Sequence, residues 1–299
     1  MSNIQKTQTE IADIIYDIAV FNQTIFVARQ TGLYHSLDGG VNWINTYHPS
    51  LPESNIPTLT VELSPNYEND KTIVAGINGG ICLSTDSGET WLVHQFRKPI
   101  PMVTSIAVSP NFATDKVILA GTYEDGMFRS DNAGETWQAF NYGLFDHNIL
   151  CVAISPFYED DQTVYAGTSS GIYKSINGGK LWHDLTLPND YDAVLSLVLS
   201  PDGELYVGTE TNGMLKSLDN GATWTTIFDT DSAINSILIG ANNRLIAQLN
   251  DAVMISDDGT TWTSLISSDV NIVILSEDQQ FIIAGLTDTT IQQINLFDL

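Results

Sequence analysis

The sequence predicts an all-β chain, a β-propeller of seven four-stranded antiparallel blades in which residues 1–299 form a single domain. Three observations carry the prediction. The six tryptophans, Trp43, Trp91, Trp137, Trp182, Trp224 and Trp262, each close one copy of a short motif, at intervals of 48, 46, 45, 42 and 38 residues. Apolar alternating runs flank every copy, broken by Pro, Asn, Asp and Gly turn residues about every 8 to 12 positions, with no helical periodicity. Units of about 43 residues holding four strands match a propeller blade in both length and strand count.

The motif copies read SLDGGVNW (Ser36, Asp38, Gly40, Trp43), STDSGETW (Ser84, Asp86, Gly88, Trp91), SDNAGETW (Ser130, Asn132, Gly134, Trp137), SINGGKLW (Ser175, Asn177, Gly179, Trp182) and SLDNGATW (Ser217, Asp219, Gly221, Trp224). A sixth copy, SDDGTTW (Ser256, Asp258, Gly259, Trp262), is one residue short between Asp258 and Gly259. A tight turn must satisfy its own backbone, so Ser and Asp/Asn oxygens accept from turn N–H groups while Gly takes the left-handed position. The Trp plugs the space beneath and has one N–H to place.

Three strands precede each octet and a fourth follows its Trp. VELSPNYENDKTIVAGINGGICL, IAVSPNFATDKVILAGTYEDGMFR, VAISPFYEDDQTVYAGTSSGIYK and LVLSPDGELYVGTETNGMLK are successive versions of that upstream flank. The units fall at about 11–46, 57–96, 102–140, 148–187, 193–228, 233–266 and 270–299. The last has no octet and no room for a fourth strand, so residues 2–10 are expected to supply it and close the ring, covering an open sheet edge.

Charge limits the partners. Thirty-six acidic against 11 basic residues give a net charge of −25, which repels phosphate backbones and anionic membrane surfaces. Nucleic acid and membrane insertion are excluded as expectations; with no 18-residue apolar stretch and no apolar segment at the N-terminus, a soluble, cytoplasmic chain is expected. Cys82 and Cys151 lack any CxxC spacing and are expected to be reduced and buried. No metal is expected. The acidic pairs Asp190/Asp192 and Asp229/Asp231 and the run Glu159-Asp160-Asp161 lack calcium-loop spacing, and the five histidines fall singly in different units. No cofactor is expected either.

On these octets the chain resembles the Asp-box (BNR) repeat propellers. The resemblance implies that the octet residues are structural and sit at the turn between the third and fourth strands. It does not fix a function, since similar boxes occur in sialidases, xyloglucan-degrading glycoside hydrolases, sortilin-type receptors and a photosystem II assembly factor. A sialidase needs three arginines on one carboxylate. This chain has four in all, and only Arg29 and Arg97 fall near the expected binding face. The xyloglucan-degrading enzymes use two tandem propellers, and the assembly factor is described with an arginine-rich patch; neither feature is present.

If the octets and the first-to-second-strand hairpins share one rim, the remaining loops share the other, and that second rim is aromatic and acidic. Candidate partner-binding residues there are Arg29, Tyr47, His48, Arg97, Glu124, Asp125, Tyr142, Phe145, His147, Tyr191, Asp192, Glu210 and Asp251. Arg29 is read as standing where other units carry the Gly of Ala-Gly-Thr. Phe96, Phe140 and Phe228 are read as fillers between blades. The expected function is a non-catalytic interaction module or scaffold that docks a basic protein partner on this rim, alone or as a subunit of a larger complex. The alternative is a carbohydrate-binding or glycoside-hydrolase-like propeller using the same aromatics and a pair of rim carboxylates. No catalytic residue is assigned.

Overall fold

Runs such as Ile73–Ile77 (IVAGI) and Val164–Thr168 (VYAGT) are apolar without alternation, the pattern of strands covered on both faces, and every residue in them is buried. They are second strands. In this computed structural model, which describes residues 13–47, 56–96, 101–189, 191–266, 270–275, 281–286 and 291–295, six antiparallel four-stranded sheets follow one another along the chain. They span residues 15–45, 58–95, 102–139, 149–185, 194–228 and 236–266, and are numbered blades 1 to 6; in each, successive strands pair in chain order. A further sheet has three strands, Val270–Leu275, Phe281–Leu286 and Ile291–Asn295. The chain is a β-propeller with six complete blades among the described residues, where the sequence led us to expect seven of four strands. Residues 2–10, expected to complete the last unit, lie outside the described residues.

The first strands form an inner ring, each packed on the first strand of the next sheet, and Ile15–Phe21 of blade 1 packs on Val270–Leu275. Apolar clusters lie between neighbouring sheets: Phe26, Tyr47, Ile73 and Trp91 join blades 1 and 2, and Leu119, Tyr158 and Trp182 join blades 3 and 4. Polar side chains stitch the inner ring. Asp17 accepts from Thr60 Oγ1 and the Val61 N–H, both at 2.9 Å, and Ser105 Oγ accepts from the Val152 N–H at 3.1 Å. Ser196 Oγ donates to the Ile234 carbonyl at 3.0 Å. Gln248 donates to the Val270 carbonyl and accepts from the Val273 N–H, each at 3.1 Å.

Strand register corrects the reading of Arg29. A bulge between Ile15 and Asp17 brings Ala28 opposite Asp17, in the column where Gly76 faces Thr60 and Gly121 faces Ser105. That column is tight: a Cβ on Gly121 would lie 2.4 Å from Ile149 Cγ2. Ala28 therefore takes the glycine's place and Arg29 is the next residue outward.

The octets occupy the third-to-fourth-strand turns. Gly40 N–H donates to Ser36 Oγ at 2.8 Å, Ser36 Oγ donates to Asp38 Oδ1 at 2.8 Å, and the Asn42 N–H donates to Asp38 Oδ1 at 2.9 Å. The same bonds recur in the later copies. The donors hold the Asp38 carboxyl down at about 2, chiefly through the Asn42 N–H, and that of Asp219 at about 2, chiefly through Thr223. The indole N–H groups of Trp91, Trp182, Trp224 and Trp262 reach back to the preceding blade, to the carbonyls of Thr46, Phe140, Thr186 and Ile227 at 2.9–3.2 Å. Those of Trp43 and Trp137 bond within their own turns.

Three of the first-to-second-strand hairpins contain a single helical turn, Tyr67–Asp70, Phe112–Asp115 and Tyr158–Asp161. One turn is too short to leave a helical period in the sequence. These hairpins meet the octets on one rim: the N–H groups of Ser87, Ala133 and Gly178 donate to the carbonyls of Lys71, Lys116 and Gln162. Both cysteines are free, Cys82 buried and Cys151 half-buried, and burial pushes the Cys82 thiol up to about 12.

Candidate interaction surface

On the opposite rim, the connection from blade 3 to blade 4 (residues 140–148) is pinned by its backbone. Tyr142 O accepts from the Trp182 N–H at 2.9 Å, His147 O from the Gly126 N–H at 3.0 Å, and Asn148 O from the Ser169 N–H at 3.2 Å. Gly143, at φ +82°, passes so close to the Trp182 carbonyl that a Cβ would lie 2.1 Å from it. Leu144 is buried as the anchor, whereas the flanking rings of Tyr142 and Phe145 are 80% and 86% exposed. The loop is fixed and its aromatics face solvent.

Tyr191, in the connection from blade 4 to blade 5, is 89% exposed and sits at φ +62°, a backbone conformation costly for a bulky residue. It is held there by its neighbour. Asp192 is buried and accepts from the Thr211 N–H at 3.2 Å and from Asn212 Nδ2 at 2.6 Å. Beside Tyr191 lies a cleft of about 160 Å³ lined also by Tyr173, Asp184 and Leu187. The Tyr173 hydroxyl is raised above its ordinary range by burial, with the Asp146 and Asp184 charges adding to the effect and the backbone of Phe145 and Asp146 opposing it. Asp146 is fixed in turn by Ser170 Oγ at 2.7 Å and the Asn148 N–H at 2.9 Å.

The predicted residues thus divide. Glu124 and Asp125 join Tyr142, Phe145 and His147 in one patch, because Glu124 N–H donates to Asn148 Oδ1 at 3.1 Å and the Asp125 carbonyl accepts from Asn141 at 2.8 Å. Glu210 joins Tyr191, its N–H bonded to the Ala193 carbonyl at 3.0 Å. Asp251 is exposed on blade 6, one blade beyond Glu210. Three assignments need correction. Tyr47 is core, its ring 5.3 Å edge-on from Trp91 and its hydroxyl 3.0 Å from Thr58 Oγ1. Asp192 is spent on shaping its loop. Arg29 is largely buried, ion-paired with Asp13 at 3.4 Å and lying over the Tyr34 ring. His48, Arg97 and Asp190 lie outside the described residues. Phe96 stacks on Phe128 at 4.2 Å and Phe228 on Trp262 at 4.6 Å, as fillers.

Sequence reasoning missed the inner ring's carboxyl pair. Burial pushes Asp17 up to about 6 against the pull of Val61, Thr60 and Ile18. Glu62, on the first strand of blade 2, is exposed yet surrounded by the ring; that enclosure and the Asp17 charge raise it, while the solvent reaching it works the other way. No motif marks either residue. Asp17 is already committed to joining blades 1 and 2. Among the described residues no cluster of three His, Cys, Asp or Glu is placed to hold a metal, and no helix is long and apolar enough to cross a membrane.

No protein-family model and no curated protein matches the chain. Solved structures do. The GH74 enzyme of Niastella koreensis superposes with a TM-score of 0.77 at 19% identity, over 94% of this chain and 52% of that one. The extracellular domain of a two component system from B. thetaiotaomicron gives 0.73 at 16%, over 94% of this chain and 38% of that one. YCF48 from Cyanidioschyzon merolae gives 0.70 at 14%, over 96% and 97%. What they share with this chain is the propeller fold. The chain spans only about two fifths to one half of the first two proteins, and at such identities a shared fold assigns no shared activity.

Proposed function

We propose that this propeller is a non-catalytic interaction module that docks a basic protein partner on the corner formed by blades 3, 4 and 5. One observation carries the reading: Tyr142, Phe145 and Tyr191 are each at least 80% exposed although the backbone beneath them is fixed by hydrogen bonds. Exposed aromatics on rigid loops give contact area at low entropic cost. The acids around them, Glu124, Asp125, Asp146, Asp184 and Glu210, favour a partner carrying Lys and Arg and speed its approach. Within this reading the octets are Asp-box turns, supported by their Ser, Asp and Gly hydrogen bonds. The three-stranded sheet is a seventh blade of the ring, supported by its packing on Ile15–Phe21.

The test is affinity capture at low and high salt with the wild-type protein and a Phe145→Ala/Tyr191→Ala variant. A stoichiometric, salt-sensitive partner that binds the wild type and is lost by the variant is the expected result. A partner retained by the variant removes this face from consideration. Retention on a glycan array with no protein captured shifts the reading to carbohydrate binding, with Tyr191 as stacking platform and Asp184 beside it in the cleft.

A further inference from the structure

In blades 3 and 4 the residue just before the octet serine reaches across to the octet of the next blade and bonds there to the same turn position. In blade 3 this residue is Arg129, which donates to the carbonyl of Gly178 and to the Tyr158 hydroxyl. In blade 4 it is Lys174, whose ammonium donates to the carbonyl of Asn220 at 3.3 Å, while Tyr165 OH donates to the Asn220 side-chain oxygen at 3.3 Å. Gly178 and Asn220 are the same position, three residues after the octet serine, and both are left-handed, at φ +73° and +59°. In both blades a cation caps the carbonyl of that left-handed residue in the next blade; in blade 4 a tyrosine hydroxyl of the same strand pair also donates to the side chain of that residue.

Blade 5 keeps the donors and has lost the acceptor. Strand register puts Lys216 and Tyr206 where blade 4 has Lys174 and Tyr165, since Tyr206 pairs with Lys216 as Tyr165 pairs with Lys174. The octet they face is the short one. Gly259 N–H bonds to Ser256 Oγ over three residues, whereas Gly179 and Gly221 bond to Ser175 and Ser217 over four, so the missing residue is the left-handed one. Both donors turn instead to Glu204, Lys216 Nζ at 2.9 Å and Tyr206 OH at 2.7 Å. Where the absent residue would sit is a cleft of about 250 Å³, bounded by Glu204, Tyr206, Lys216, Asn243, Asp257 and Thr260.

We propose that this cleft, on the octet rim and independent of the surface proposed above, binds a peptide segment of another protein whose main-chain carbonyl takes the place of the missing one. The chemistry follows from the neighbouring junction. Lys216 and Tyr206, here both bonded to Glu204, correspond to the two donors that in blade 4 meet two oxygens of a single Asn, so an amide-bearing residue fits. At the mouth Asp257 is ion-paired with Arg244 and Asp258 accepts from the Thr260 and Thr261 N–H groups, so the flanks of the segment meet a polar surface whose charges are already partnered. Lys216 releases its bond to Glu204 or shares it, which costs little because both groups keep water access.

The experiment titrates the ¹⁵N-labelled protein with the capped tripeptide N-acetyl-Gly-Asn-Gly-amide and follows the Gly259 and Thr260 amide resonances. The expected result is saturable shifts confined to this cleft. Two variants decide their meaning: insertion of an Asn between Asp258 and Gly259, which rebuilds the full octet, and Lys216→Met, which keeps the stem and removes the donor. Each is expected to weaken binding about tenfold or more. Absence of shifts in the wild-type protein overturns the proposal, and so does binding that Lys216→Met leaves unchanged, whether or not the insertion variant folds. Phe145→Ala/Tyr191→Ala is expected to leave this titration unaltered, so the two surfaces fail or stand separately.

Discussion

On one rim, Ser36, Ser84, Ser130, Ser175, Ser217 and Ser256 are all buried and bonded inside their own turns; on the other, Phe145 and Tyr191 stand in solvent above a backbone held just as firmly. Both rims are rigid. They differ in where the side chains are spent. The octet rim uses its polar groups on itself, and repetition there reports the needs of a turn. The opposite rim fixes its backbone with main-chain bonds and a few short polar side chains such as Asn141, Asp146 and Asp192, which releases Tyr142, Phe145 and Tyr191 for contacts outside the chain. Recurrence in this sequence therefore marks structure, and departures from recurrence mark surfaces available to something else.

The largest effect that would test this contrast is on the octet side. Trp182 is fully buried between blades 3 and 4 with its N–H on the Phe140 carbonyl. Trp182→Ala is expected to lower stability by about 3–5 kcal/mol, read as a shift in the urea midpoint. An effect under about 1 kcal/mol would mean that the turn, and not its plug, holds the two blades together.

An intermediate effect is expected from Asp17. Its carboxyl is raised from 3.8 to about 6 in the folded protein, so the folded state binds the proton more tightly than the unfolded one. Stability from this group is greatest below about pH 4, falls as pH rises, and is lost above about pH 6, a change on the order of 2–3 kcal/mol. Glu62 acts with the same sign over an overlapping range, from its ordinary value up to about 8, tempered by its exposure to solvent. Denaturant midpoints at pH 4 and pH 7 should differ accordingly in the wild type, with the difference reduced by the Asp17 share in Asp17→Asn. A slope that the variant retains in full would assign the pH dependence to other groups.

The smallest stability effect sharpens the contrast from the other side. Phe145→Ala/Tyr191→Ala removes two exposed rings and is expected to change unfolding free energy by no more than about 0.5 kcal/mol while abolishing partner capture. A large loss of stability would show that these rings belong to the packing after all.

The octets were legible because each requires the same residues in the same order, and so were the strand runs around them. The first error was one of alignment: Val27-Ala28-Arg29 reads like Val74-Ala75-Gly76, yet Ile25 faces Ser36 as Ile73 faces Ser84, so Ala28 stands at the place of Gly76 and Arg29 at that of Ile77. Sequence likeness over three residues did not carry the register. Tyr47 was misplaced because an aromatic following a short fourth strand, Ile44–Asn45, can turn inward as easily as outward, and here it packs on Trp91. Asp192 and Tyr191 are adjacent, and only the loop's fold decides which one is buried. Asp17 and Glu62 lay in plain apolar strands, and their pairing across two blades depends on the ring's geometry. The short sixth octet was legible as a deletion, whereas its consequence for Lys216 required knowing which side chain faces it.

The indole bonds of Trp91, Trp182, Trp224 and Trp262 all run backward, to carbonyls 45, 42, 38 and 35 residues earlier in the chain. Wiring of that kind has a direction. As the polypeptide leaves the ribosome, each tryptophan emerges after its acceptor has been made, and no staple has to wait for sequence still to come. Ring closure between Ile15–Phe21 and Val270–Leu275 is the long-range exception, which leaves one slow search at the end of an assembly otherwise built from neighbour to neighbour.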